Sequence, residues 1–432
     1  MLNLFQYPMK VAIIGAGFGG LASAYKLAQG GSDVTVFEAD TKPGGLAIGF
    51  KEPKWKWTIE KHYHHLFYSD WAIRNLAEEI GQELIYLQPK TSTYYHGKIY
   101  QLDTPMSLMK FTALPLRERI RTGAVIAYLK MIRDWEKLEK ITAKSFLTKY
   151  MGNTSWKVLW QPLFEKKFGN YADEISAAWF WTRINKRSSS LGYPKGGFLA
   201  FAERLDTVIR KNDGKIFYNT SVYKISEENG KITITTGNGK YEFDKVICTL
   251  PTPLFLKMAV DLPINYKAKL SPLKGLGAIN MVISLKHQFL EDGTYWLNIN
   301  DLNFPFLAVV EHTNYMNKEY YDNAHLMYIG NYLPHNHDYF QKTDDELFGI
   351  FYPYLNKINP KFRKSWINNI YVFKTPFAQP ILPLNYSKSI PPFVTPIQGL
   401  YLSNIQQVYP WDRGTNYAVE NGLEVAKLII HD

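Results

Sequence analysis

Two short runs near the start of the chain, residues 10–14 (KVAII) and 33–37 (DVTVF), are apolar almost without interruption. Runs of that length without polar alternation read as strands buried on both faces, as in a parallel sheet. Residues 19–29 between them have helical spacing, so the unit is strand, helix, strand. Helices are also predicted over 70–80, 114–129, 146–168, 198–209, 340–355 and 416–430. A hairpin is predicted over 94–101, turning at His96-Gly97, and a turn over 192–197. Strands are predicted over 215–225, 231–236 and 241–247, with turns at Asn229-Gly230 and Asn238-Gly239 between them. Several more strands are expected in 275–335, and a short one over 399–403. There is no tandem repeat, low-complexity tract or clean linker, so the domains are expected to interleave.

Composition narrows the class only a little. At 432 residues, with 46% hydrophobic and 21% charged, the chain is ordinary globular protein with room for two or three domains. One cysteine, Cys248, excludes an internal disulfide and a cysteine-built zinc site, and it reads as a small buried hydrophobe. The net charge of +11 is spread without a long basic run, and no nucleic-acid motif accompanies it, so no nucleic-acid partner is expected. Met1 to Pro8 is read as too short for a secretory leader, and no apolar run approaches the ~20 residues that span a bilayer. The expected location is cytoplasmic. Helical residues 105–149 mix Leu, Met, Ile and Phe with Arg117, Arg119, Arg121, Lys130 and Arg133. That composition suits either a solvated face or peripheral contact with the cytoplasmic face of a membrane.

The strongest local chemistry is Gly15-Ala16-Gly17-Phe18-Gly19-Gly20, between the first strand and its helix. The first glycine permits a tight turn, the second lets backbone approach a pyrophosphate, and the third lets the helix pack on the strand. Glu38 ends the second strand roughly twenty residues on, where a carboxylate can bind adenosine ribose hydroxyls and repels a 2′-phosphate. These residues predict a dinucleotide site, with NADP disfavoured. They do not say which dinucleotide. After Glu38-Ala39 comes a second glycine pair, Gly44-Gly45, followed by Leu46.

In these motifs the sequence resembles the flavoprotein superfamily of amine oxidases, protoporphyrinogen oxidases, phytoene desaturases and UDP-galactopyranose mutases. The resemblance continues through Tyr193-Pro194-Lys195-Gly196-Gly197, the strand around Val222, residues 243–251 and Gly399 to Asn404, and ends in Arg413-Gly414-Thr415-Asn416. It departs at Leu46, where the superfamily usually has a base, and at Asn404, where it commonly has an acid. The resemblance implies FAD as cofactor. It implies contacts from Gly15, Gly17, Phe18, Gly19, Gly20, Glu38, Ala39, Gly44, Gly45, Leu46 and His65, from the Val222 backbone, and from Asn404, Arg413, Gly414, Thr415 and Asn416. It also implies an α/β fold: a Rossmann-like FAD-binding domain of three layers, an inserted mixed-sheet substrate domain and a helical subdomain. The expected divisions are 1–103, 191–255 and 396–432 for the FAD-binding domain, 104–190 for the helices and 256–395 for the substrate sheet.

Candidate catalytic groups lie in two clusters. His62-Tyr63-His64-His65 lacks metal-ligand spacing, so no metal is expected; the segment 61–70 resembles the loop beside the flavin in UDP-galactopyranose mutases. His64 and His65 are candidates there, with a structural histidine cluster as the alternative. Glu311-His312 offers an acid/base pair, but neighbours on a strand point to opposite faces, and His312 is the candidate kept. The leading expectation is an FAD-dependent oxidoreductase that takes a hydride from a small-molecule or lipid-linked substrate. A mutase-like flavoenzyme acting on a nucleotide-linked sugar and a non-catalytic FAD-binding protein remain as alternatives. Nothing in the sequence speaks to oligomeric state.

Overall fold

The computed structural model describes residues 8–432; most of the N-terminal segment read as too short for a leader lies outside them. A five-stranded parallel sheet runs in the order Lys215–Phe217, Asp33–Phe37, Lys10–Ile14, Lys245–Cys248, Leu400–Leu402. Its strands come from three separated parts of the chain. Alternation along Lys10–Ile14 sorts its side chains. Val11 and Ile13 join the core under helices Phe18–Gln29, Phe198–Lys211 and Thr415–Ile430, whereas Ala12 and Ile14 join the core under an antiparallel meander. That meander, Val222–Glu228, Lys231–Thr236 and Gly239–Phe243, is the third layer. The α/β three-layer architecture is therefore present.

Residues 215–225 form two strands in different sheets, because Asn219 turns in the left-handed region (φ 51°). Residues 241–247 likewise split at Asp244, whose amide is drawn to the carbonyl of Lys10. The predicted turn at 192–197 begins later than expected: Leu191–Pro194 pairs with Leu84–Leu87 before the chain turns.

The substrate-side sheet has seven strands, ordered Ile367–Pro380, Gly275–Leu285, His325–Leu333, Ala308–Glu311, Thr294–Ile299, Lys90–Tyr95, Lys98–Gln101. The hairpin at its edge belongs by sequence position to the first FAD-binding segment. It pairs in parallel with Thr294–Ile299 through its strand Lys90–Tyr95, which carries that part of residues 1–103 into the second sheet. The helical part packs around Phe164, Trp179 and Phe180 in a core that it shares with Leu276, Ala308 and Tyr332 of the seven-stranded sheet. The helix expected over 146–168 is interrupted at Gly152 (φ 118°) and by a wider turn over Trp156–Trp160. The helix expected over 340–355 starts later, at Asp344, where the Thr343 hydroxyl and the Glu346 carboxylate cap it reciprocally. Helix Leu116–Met131 leaves Leu116, Ile120, Ala124, Ala127 and Met131 exposed or half-buried along one stripe. Among the described residues no helix is long and apolar enough to cross a membrane.

Candidate functional site

The glycine turn is built as the dinucleotide reading requires. A Cβ on Gly20 would sit 2.0 Å from the carbonyl oxygen of Gly15, so the helix can start this close to the strand only with glycine there. Gly45, at φ 57°, lies against Gly17, where a Cβ would come within 3.0 Å of the Gly17 Cα. The Gly44 amide donates to the carbonyl of Ala16, so both glycine elements are joined by backbone. The amides opening helix Phe18–Gln29 have no partner within the helix, as at any N-terminus. That leaves a small-residue cradle of N–H groups suited to a pyrophosphate.

Glu38 closes the adjoining strand. Its Oε2 accepts from the Ala16 amide at 2.6 Å and its Oε1 from the Asp40 amide at 2.8 Å. Burial pushes its pKa above the usual carboxylate value, and the two amides oppose that shift. Each oxygen keeps acceptor capacity for a ribose diol. The Glu38 carbonyl also accepts from the Thr220 amide, which brings the Val222 segment alongside. Ala39 is exposed next to it, and Leu46 lies in the one-turn helix Gly45–Ala47.

The C-terminal motif meets the N-terminal one directly. A Cβ on Gly422 would fall 2.2 Å from the carbonyl oxygen of Gly19, and the Ser23 hydroxyl donates to the Gly422 carbonyl at 2.9 Å. Helix Thr415–Ile430 is thus locked to helix Phe18–Gln29. The donor set around the glycine turn, Glu38 and the start of this helix fits FAD.

Several residues implied as cofactor contacts are already committed within the protein. The Asn404 Oδ1 caps the turn that follows it, and its Nδ2 donates to the Leu250 carbonyl and the Thr252 hydroxyl, both at 3.1 Å. The Asn416 Oδ1 accepts from the Ile73 amide at 3.1 Å. The Arg413 Nε donates to Gln379 at 2.9 Å, and its guanidinium also meets the Tyr332 hydroxyl. These side chains serve the walls of the site, and of the C-terminal set Arg413, Gly414, Thr415 and Asn416 border its cleft while Asn404 does not.

That cleft, about 180 Å³, lies between the histidine loop, the end of helix Ala177–Asn185 and the start of the terminal helix. His64 and His65 both border it. The His64 Nδ1 faces the carbonyl of His62 at 2.6 Å, and the His65 Nδ1 faces the Tyr295 hydroxyl at 3.2 Å. Burial lowers their pKa values to about 4 and about 3. The neighbouring arginine charges push the same way, so both imidazoles are neutral at neutral pH. Neutral imidazoles can orient a substrate and pass a proton without holding charge. Trp296 stands edge-on to both Tyr63 and His65, giving the cleft an aromatic side.

The structure does not bring His312 to this cleft, which corrects its candidacy. It is 2% exposed, its Nε2 lies 2.7 Å from the Tyr321 hydroxyl, and Tyr193 packs against its ring. Glu311 is equally committed, accepting from the amides of Phe289 and Leu290. Both are core groups, because the strand that leads into them is buried on both faces.

Two residues that sequence reasoning did not single out stand out. Lys167 borders the cleft and is paired with Asp412 at 2.9 Å. Its signal was available: a lysine one turn beyond the apolar Phe164, on the same helical face. Glu60 is fully buried just before the histidine loop. It accepts from the Tyr193 hydroxyl at 3.0 Å and the Phe198 amide at 2.9 Å, and burial raises its pKa to about 7. No sequence signal marks it, since its partners lie more than a hundred residues away.

Comparison with known proteins agrees with this geometry. The coproporphyrinogen III oxidase of Staphylococcus aureus is 27% identical over 289 residues, which are 57% of this chain and 61% of that protein. The chain matches between 48% and 61% of the length of the first curated relatives. An oxidoreductase structure from Methanosarcina mazei superposes with a TM-score of 0.76 at 20% identity, covering 97% of this chain and 100% of that one. A reduced UDP-galactopyranose mutase superposes at 0.77 with 15% identity, covering 98% and 96%. These structural likenesses show the fold. The family model described as flavin containing amine oxidoreductase matches residues 18–430, so the chain belongs to that family and its cofactor is FAD.

Proposed function

We propose that this chain oxidises an organic small molecule in the cleft beside His64 and His65. The carrying observation is that one cavity joins the histidine loop to Gly414 and Thr415 at the start of the terminal helix. When bound, FAD supplies the acceptor for a hydride from the substrate. The protein's part is placement and proton handling. The Tyr295 hydroxyl and the His62 carbonyl orient the two imidazoles, and His65 is the group assigned to a substrate proton. Trp296 and Tyr63 give the cleft an aromatic side that limits water beside a bound molecule. Coproporphyrinogen oxidation is one candidate among porphyrinogens, amines and polyenes.

The test is anaerobic addition of candidate substrates to the yellow protein. Bleaching of the flavin without added reductant supports the reading. Product formed only after pre-reduction with dithionite would replace it with the mutase-like reading, and a protein that binds no flavin would sink both.

We further propose that helix Leu116–Met131 rests on an anionic lipid surface. Its exposed stripe carries Leu116, Ile120 and Met131, with exposed Arg117 beside it. Apolar insertion and basic flanks act together in such helices. The lipid-linked branch of the substrate expectation rests on this contact.

A further inference from the structure

The cleft carries more positive charge than the protein itself balances. Five cationic side chains border it, Lys167, Arg183, Lys186, Arg187 and Arg413, against two carboxylates, Asp70 and Asp412. Both carboxylates are occupied. Asp412 is paired with Lys167 at 2.9 Å, and with Arg413 also near it the carboxyl is held down at about 2. Asp70 accepts from the Phe67 amide at 2.8 Å. Arg413 is committed to Gln379 and Tyr332.

Arg183, Lys186 and Arg187 make no direct pair with either carboxylate, although Asp412 attracts the two arginines and Asp70 attracts Lys186 from a distance. Among the described residues none of the three forms an ion pair or donates a side-chain hydrogen bond. Their nearest aromatic contacts are Trp179, 5.8 Å from the Arg183 guanidinium, and Trp411, 4.2 Å from the Lys186 ammonium. Desolvation, and after it repulsion from Arg183, brings Arg187 down to about 9. Arg183 and Lys186 are half-buried and Arg187 is open to solvent, so the like charges gathered along this wall leave a positive potential that an anion entering the cleft would balance. Two guanidinium groups facing one cavity match an oxyanion, which accepts paired N–H donors.

We infer that the substrate carries an oxyanionic group, a phosphate or a carboxylate, held by Arg183 and Arg187 with Lys186 beside them. The inference rests on the proposed function only in taking this cleft as the substrate site. It narrows that function sharply. A protonated amine would meet three unbalanced cations, so the cleft selects against the cationic amines for which the family is named. His65 stands in the same cavity, so an anchored anion places the rest of the molecule against the imidazole.

The experiment uses flavin-loaded protein and follows its visible spectrum during titration. The probes are pyrophosphate, citrate and 1,4-diaminobutane, each at constant ionic strength set with sodium chloride. A saturable perturbation by pyrophosphate or by citrate is expected, and the tighter of the two names the oxyanion. The diamine is expected to produce none. In Arg183→Gln/Arg187→Gln the apparent Kd for the anion should rise by at least about tenfold, with flavin content unchanged. Equal anion affinity in the double variant, no perturbation of the wild type by either anion, or binding of the diamine instead would overturn the inference. Loss of flavin in the variant would overturn it too, because the arginines would then serve the cofactor. If the anion binds as expected but no oxyanionic organic compound bleaches the flavin, the oxidase reading fails by itself.

Discussion

The Glu38 Oε2 accepts a 2.6 Å hydrogen bond from the Ala16 amide, so the acid ending the second strand is tied to the middle of the glycine turn. One carboxylate therefore shapes the turn and also offers acceptors to a ribose. Glu38→Ala should lower FAD affinity by about ten- to a hundredfold, since hydrogen bonds to charged groups contribute about 1.5–3 kcal/mol. Equilibrium dialysis with flavin fluorescence measures it, and an unchanged Kd would remove Glu38 from the cofactor site.

Gly20→Ala tests the close approach of helix and strand. The added methyl would meet the Gly15 carbonyl oxygen at 2.0 Å and Ile13 Cγ2 at 3.1 Å. Backbone has to move, with a destabilisation of about 1–3 kcal/mol typical of overpacking. Thermal melts and flavin content should fall together. A variant with wild-type melting and full flavin would contradict so close an approach.

Glu60 sets a pH dependence with a definite sign. Its carboxyl has a raised folded pKa of about 7, against an ordinary value of 4.5. Between pH 4.5 and 7 the folded state keeps a proton that the unfolded state has lost. Its contribution to stability therefore falls as pH rises through that window and is flat above it. Glu60→Gln keeps an oxygen for Tyr193 and Phe198 and removes the titration. Relative to its offset at about pH 4.5, the variant should gain on the wild type by up to about 3 kcal/mol at about pH 8. Urea midpoints at the two pH values read this out; a difference independent of pH would show that Glu60 titrates normally.

The stripe on helix Leu116–Met131 predicts lipid binding of a particular kind. Sedimentation with vesicles containing phosphatidylserine should exceed that with neutral phosphatidylcholine vesicles and fall with salt. Leu116→Glu/Ile120→Glu should abolish it without altering flavin content, because both side chains are exposed. Equal sedimentation of wild type and double variant would dismiss the contact.

The sequence by itself determined the dinucleotide end of this protein. Gly15, Gly17, Gly20 and Glu38 fall within one strand-helix-strand unit, where local spacing fixes geometry, and pairing of Lys10–Ile14 with Asp33–Phe37 in register brings them together. The periodicity of helix Phe18–Gln29 and of the terminal helix was equally local. Tertiary structure alone decided the rest. Residues 215–225 and 241–247 looked like single strands because periodicity cannot say which sheet a strand joins; hydrogen bonds to distant partners decide that. His65 and His312 looked alike in sequence, yet one borders a cleft and the other lies among Tyr193, Tyr321 and Tyr328. The basic stretch of Arg183, Lys186 and Arg187 is legible in the sequence, but its charge balance is not, since that depends on Asp412 being taken by Lys167, a residue on another helix. Glycine turns are set by neighbours in the chain, whereas burial and electrostatic balance are set by neighbours in space.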